Sequence, residues 1–257
     1  MSIRHVNILG VEVSAIGMTE TLDTISEWIE DREPRYVCVT GVHGVMESCR
    51  DLELRQIHNE AGLVTPDGMP LVWLSRWQGH RNVTRVYGPD LMLAACRAFS
   101  GRACRHFFYG GAPGVAEKLA ANLRSQIPSL VVAGTYCPPF RDLTDDELAD
   151  VRNRIKQSRA DIVWVGISTP RQERWMASQV GRIDAPVLVG VGAAFDFHAG
   201  VKRQAPSWMQ RSGLEWLFRL ATEPRRLWRR YFRNNPLFVA LALMQCLGMK
   251  SYETTLK

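Results

Sequence analysis

The chain contains no Cys-x-x-Cys pair and no cluster of histidine with cysteine. Its six cysteines, Cys38, Cys49, Cys96, Cys104, Cys137 and Cys246, are scattered. That spacing suits reduced thiols in a cytosolic protein better than a zinc site or a disulfide frame. No apolar run approaches the roughly 20 residues that a membrane-spanning helix needs, and Met1-Ser2-Ile3-Arg4-His5 opens no secretory apolar stretch. There is no G-x-G-x-x-G turn. The strand after the nearest glycine-rich turn ends Val131-Val132-Ala133-Gly134, with no acid to hold a ribose diol, which argues against a nicotinamide dehydrogenase. No Walker-type lysine and no D-x-D metal motif follow either, and internal repeats and low-complexity segments are missing. A metal is therefore not expected.

What is present is an alternation. Short, nearly continuous apolar runs, Tyr36–Thr40, Ala61–Thr65, His106–Tyr109, Leu130–Ala133, Asp161–Gly166 and Pro186–Val191, read as strands. Between them lie helical patterns. One starts near Thr19 with Leu22, Ile25, Trp28 and Ile29 on one face and Thr19 as its cap. Others cover Val45–Asn59, Leu71–Trp77, Asp90–Ala98, a segment ending near Gln126, one opening at Thr144 with a capping box, and Gln172–Val180. Val6–Val13, around Gly10, suits a small hairpin or an edge element. The pattern predicts an α/β fold: a Rossmann-like, mostly parallel sheet flanked by helices, with a C-terminal basic helical appendage. The expected division is a catalytic domain over residues 1–201 and an appendage over 202–257.

In such a sheet, ligands bind at the carboxyl ends of the strands. Thr40, Asp67, Gly110-Gly111, Tyr136–Arg141, Ser168–Gln172 and Phe195-Asp196 fall there. Asp67 sits in Val64-Thr65-Pro66-Asp67-Gly68-Met69-Pro70, where two prolines and a glycine stiffen the turn. A general base has to be held in register with its proton, and this turn would do so. The same turn also suits an aspartate that caps the following helix. Gly110-Gly111-x-x-Gly114 could admit a phosphate to backbone amides, or could be close packing. His43 and His198 lie on or near this rim without a clear role.

Net charge is +6, and the excess is concentrated towards the C-terminus. From Lys202 to Arg233, arginines alternate with Trp208, Trp216, Phe218, Trp228, Tyr231 and Phe232, and an apolar stretch, Leu237–Met244, follows. Arginine with tryptophan in amphipathic helices suits an anionic lipid surface. A helix packed on the domain with solvated arginines is the rival reading, and a nucleic-acid partner fits the amphipathy less well.

Several motifs then coincide in order: Thr65-Pro66-Asp67-Gly68-Met69-Pro70, Arg85-Val86-Tyr87-Gly88-Pro89-Asp90, Phe108-Tyr109-Gly110-Gly111, Pro170-Arg171-Gln172-Glu173 and Gly192–Phe197. They continue with Gly213-Leu214-Glu215-Trp216, Arg219-Leu220 and Glu223–Tyr231. Over nearly its whole length the chain resembles the WecG/TagA/CpsF family, glycosyltransferase family 26. The resemblance implies an inverting, metal-independent transfer of a sugar from a UDP-sugar to a polyprenyl-diphosphate-linked glycan, without a cofactor. It places the enzyme peripherally, at the cytoplasmic face of the inner membrane, and leaves a homo-oligomer open. N-acetylmannosamine, its uronic acid and glucose are the donor sugars it suggests.

By the same resemblance Asp67 is the general base and Thr40 and Gln172 are active-site partners. Arg219, Arg226 and Arg229 neutralise diphosphate from the appendage, and Asp196 lies near uracil and ribose. Two positions depart from the family: Thr40-Gly41-Val42 where Thr-x-Asn is frequent, and Cys137-Pro138-Pro139-Phe140 where His-Gly-Tyr-Phe is frequent. Both touch the expected donor pocket, to which Gly110, Gly111 and Phe140 are assigned. A function of another class is a non-catalytic, membrane-bound UDP-sugar scaffold.

Overall fold

In the computed structural model, residues 3–254 are described. A two-stranded antiparallel hairpin, β1 (His5–Ile8) and β2 (Val11–Ser14), precedes α1 (Met18–Asp31), β3 (Arg35–Thr40), α2 (Val42–Ser48) and α3 (Leu52–Asn59). Then come β4 (Leu63–Pro66), α4 (Met69–Trp77), α5 (Gly88–Phe99), β5 (Arg105–Gly110), α6 (Val115–Gln126), β6 (Val131–Tyr136), α7 (Asp145–Ser158) and β7 (Ile162–Gly166). The chain ends with α8 (Arg171–Gln179), β8 (Val187–Gly190), α9 (Ala194–His198), α10 (Ser207–Arg211), α11 (Glu215–Thr222) and α12 (Pro224–Cys246). Strands β3 to β8 form a six-stranded parallel sheet in the order β4-β3-β8-β7-β5-β6. β7 and β8 are almost wholly buried. This is why they read as unbroken apolar runs rather than as alternation.

Two compact units divide the chain: Met1–Gly17, Val39–Tyr87 and Gln204–Lys257 in the first, Met18–Cys38 and Gly88–Arg203 in the second. The core of the first gathers Val6, Ile8, Val11 and Val13 of the hairpin with Val45, Met46, Val64 and Leu71. Phe238 and Ala242 of α12 complete it. The hairpin turns at Leu9-Gly10, both at positive φ (54° and 91°), the backbone that a two-residue turn between twisted strands demands. α12 continues through Pro236, because Leu227, Tyr231, Asn234, Phe238 and Ala242 recur at helical spacing and are all buried on one face.

Several boundaries differ from the sequence expectation. The helix expected over Val45–Asn59 is two helices. The Asp51 carboxylate takes the N–H of Leu54 at 3.0 Å, so a new helix begins there. β6 runs on to Tyr136 through Gly134, where a Cβ would lie 2.7 Å from the Phe107 ring. α5 starts at Gly88, with Asp90 in its first turn rather than capping it. A side chain on Gly88 would come 3.1 Å from the Val191 carbonyl oxygen, so only glycine fits easily. Thr19 lies inside α1, which begins at Met18.

Candidate active site

In the first unit, β4 ends at Pro66 and delivers Asp67 into the turn before α4. The turn is held by backbone bonds on both sides: Asp67 N–H to the Thr40 carbonyl at 2.9 Å, and Val86 N–H to the Pro66 carbonyl at 2.9 Å. The residue that caps α4 is Gly68, with no side-chain cap bond. Asp67 precedes that N-cap position by one residue. Thr40, 2% exposed, ends β3, and a Cβ on Gly41 would lie 3.7 Å from Asp67 Oδ2.

Arg85 braces this turn. Its Nε donates to the Asp67 carbonyl at 2.5 Å and its Nη1 to Gln210 Oε1 at 3.3 Å. Its Nη2 forms an ion pair with Glu215 at the start of α11 and lies 3.9 Å from Asp67 Oδ1. The guanidinium also covers the Tyr87 ring, 4.0 Å from its centre. Burial, then the charges of Glu215 and Asp67, pushes the Tyr87 hydroxyl far above its ordinary pKa, so it stays protonated. Arg219, further along α11, shares this electrostatic environment. Burial works to lower its pKa, but Tyr231, Tyr87, Glu215 and Asp67 raise it by more, and it is a permanent cation. Of the other two appendage arginines, Arg226 is paired with Glu223 at 2.7 Å, and Arg229 is exposed over the Trp228 ring at 5.3 Å. The structure therefore brings Thr40, Asp67 and Arg219 together. It adds Arg85, Tyr87 and Glu215, for which the sequence reading gave motifs but no role.

The second unit holds the remaining candidates. A Cβ on Gly110 (φ 137°) would lie 2.6 Å from the Gly166 carbonyl, and the Gly111 N–H is donated to the Gly166 carbonyl at 3.0 Å. The Gly111 amide is thus engaged in the sheet, so the pair shapes a close strand contact and this amide is not a ready phosphate donor. Gln172, 2% exposed, donates from Nε2 to Glu173 Oε1 at 3.0 Å. Glu173 also accepts from Thr169 Oγ1 at 2.8 Å. Gln172 Oε1 is buried without a partner and would lie 3.5 Å from a Cβ on Gly192. Asp196, on α9, is paired with Lys202 Nζ at 2.8 Å. Phe140 is 94% exposed, with the Arg171 guanidinium 5.1 Å from its ring centre. His198 donates from Nε2 to the Pro89 carbonyl, 2.8 Å away, and this contact accounts for it structurally. Among the described residues, no three His, Cys, Asp or Glu side chains converge as a metal site would need, and no helix is long and apolar enough to cross a membrane.

The sequence model described as the Glycosyl transferase WecG/TagA/CpsF family matches residues 6–252. The chain is similar to an N-acetylglucosaminyldiphosphoundecaprenol N-acetyl-beta-D-mannosaminyltransferase of Bacillus subtilis (strain 168), with 28% identity over 70% of this chain and 68% of the relative. Its counterpart of the same name from Bacillus spizizenii is 29% identical over 77% of this chain and 74% of the relative. Another of that name from Staphylococcus aureus (strain NCTC 8325 / PS 47) is 23% identical over 91% of this chain and 90% of the relative. The chain belongs to the WecG/TagA/CpsF family of glycosyltransferases.

Proposed function

We propose that this enzyme transfers a sugar from a UDP-sugar to a polyprenyl-diphosphate-linked glycan, with inversion and without a metal, at the cytoplasmic face of the inner membrane. The names of its relatives favour N-acetylmannosamine as donor sugar and an N-acetylglucosaminyl-diphosphate lipid as acceptor. The acceptor hydroxyl oxygen forms the new bond to the anomeric carbon while the bond to UDP breaks, and UDP leaves with the electron pair. Asp67 takes the hydroxyl proton on the opposite face. Arg219, Arg226 and Arg229 are the cations offered to diphosphate, and Arg219 shares the field of Asp67. Gln172 and Asp196 are assigned to the donor.

The observation that supports this most is the Asp67 turn. The N-cap of α4 is Gly68 rather than Asp67, and the backbone around Asp67 is tied to Thr40, Val86 and Arg85. Asp67→Asn keeps the shape and removes the base. Transfer to a short-chain lipid-diphosphate acceptor should fall by about 10²–10⁴-fold, with UDP affinity retained by calorimetry. Near-normal turnover in that variant would remove Asp67 from the chemistry.

A further inference from the structure

Asn234, 3% exposed on α12, reports a proton position. Its Oδ1 accepts from Arg50 Nη2 at 2.8 Å, which orients the amide, and its Nδ2 then faces His43 Nδ1 at 3.2 Å. An amide nitrogen only donates, so His43 Nδ1 accepts and the ring proton sits on Nε2. Glu47 lies 3.7 Å from the same Nδ1, but is already bonded to Arg50 at 3.0 Å. Protonation of Nδ1 is resisted. Burial first, then Arg230, Arg50 and Arg219, lowers the His43 pKa to about 3. His43 is a neutral imidazole with one N–H to give, in a field of three arginines.

Two of those arginines are themselves short of partners. Arg219 and Arg230 form no ion pair among the described residues, and the Nε of each is buried without an acceptor. Burial is the main cause that pulls Arg230 down to about 10; Tyr231 opposes it, Arg219 and Arg226 add to it, and Glu47 opposes it least. Leaving two neighbouring guanidiniums partly desolvated and unpaired is costly. An anion with several acceptor oxygens would relieve that cost, and arginine is the side chain best shaped to hold it.

We propose that Arg219, Arg230 and the Nε2–H of His43 form a seat for one diphosphate group, with Arg50 and Asn234 holding His43 in the donating tautomer. The inference rests on the transferase reading and extends it. Arg230 of the last helix is half-buried with its Nε shielded from solvent, unlike its exposed neighbour Arg229, and a neutral histidine adds a directional hydrogen bond without adding charge. The diphosphate is either that of UDP or that of the lipid-linked acceptor.

The test uses the full chain carrying His43→Phe or Arg230→Gln. UDP affinity is measured by calorimetry, acceptor KM by transfer, and folding by thermal melting. Each variant should weaken one ligand by about tenfold to a hundredfold, the loss expected for a hydrogen bond to a charged group. A loss confined to UDP identifies the donor diphosphate, and a rise confined to acceptor KM identifies the lipid diphosphate. Unchanged affinity for both, with transfer intact, overturns the seat and leaves the transferase reading standing. If a variant melts early, the ¹⁵N resonances of the His43 ring are followed in the wild-type chain with UDP, inorganic pyrophosphate and acceptor. A shift supports the seat, and none at saturation overturns it. A wild-type chain that moves no sugar from any UDP donor, yet shows the pyrophosphate shift, would sink the functional reading and not the seat.

Discussion

At the scale of single residues, Arg85 does what no neighbour in sequence suggests. One planar fork joins the Asp67 carbonyl, Gln210 and Glu215 while stacking on Tyr87. A lysine carries the same charge but cannot make those contacts at once. Arg85→Lys should therefore leave the fold and UDP affinity close to wild type and lower kcat by about 10²-fold, the scale of a misplacement near 1 Å. Glu215→Gln should move kcat in the same direction by less, because the neutral amide still accepts from Arg85. Calorimetry for UDP beside steady-state kinetics separates the two quantities. A wild-type kcat in Arg85→Lys would show that the brace is unnecessary. Arg85 and Glu215 lie 130 positions apart, so no local pattern announces their pairing. Asp67 was legible because prolines and glycine advertise a rigid turn within seven residues. That Gly68, and not Asp67, is the N-cap of α4 needed coordinates.

Elements show the same division between local and distant causes. The strands over Tyr36–Thr40, Asp161–Gly166 and Pro186–Val191 were legible because burial on both faces writes itself as continuous Val, Ile and Leu. β6 was read short because its residues are all half-buried and its second half, Gly134-Thr135-Tyr136, carries no apolar run. The break between α2 and α3 was missed because periodicity alone does not reveal a carboxylate turning back on its own backbone. Asp51 accepts the Leu54 N–H there, and Leu54 and Ile57 of α3 are buried on the far side of the break. Asp51→Ala should cost about 1 kcal/mol, the usual worth of an N-cap, and lower Tm by about 2–4 °C in a chain of this size. Differential scanning calorimetry measures it. A gain in Tm would mean that one continuous helix over Val45–Asn59 was the better structure after all. The helix register also decides which tail arginine is half-buried. Leu227, Tyr231 and Asn234 face the core, and Arg230 flanks them while Arg229 turns to solvent, a phase that composition does not contain.

For the whole molecule, the question is what would draw the enzyme to the lipid-linked acceptor proposed for it when no helix among the described residues can span a bilayer. After residue 201 the sequence has eleven Lys and Arg against three Glu. On α12, Trp228, Phe232, Val239 and Leu243 are all exposed and, at 100° per residue, fall within a sector of about 60°. Arg225, Arg229 and Arg233 lie beside that sector and are exposed as well. An apolar stripe edged by arginine suits the plane of an anionic interface. Truncation at residue 202 is a poor test, because Phe238 and Ala242 belong to the core of the first unit. Surface substitutions are better. Phe232→Ser with Leu243→Ser should lower partition onto phosphatidylglycerol vesicles by at least about tenfold, since each buried side chain of this size is worth about 1.5–3 kcal/mol. Arg225→Gln with Arg233→Gln should remove about 1 kcal/mol per charge and flatten the dependence on salt, which in the wild type should be steep up to about 1 M, where the Debye length is ~3 Å. Sedimentation with anionic and neutral vesicles reads both effects. Equal sedimentation of all forms, on either lipid and at any salt, would mean that α12 does not meet the membrane, and that the acceptor is drawn to the enzyme by its diphosphate and sugar alone.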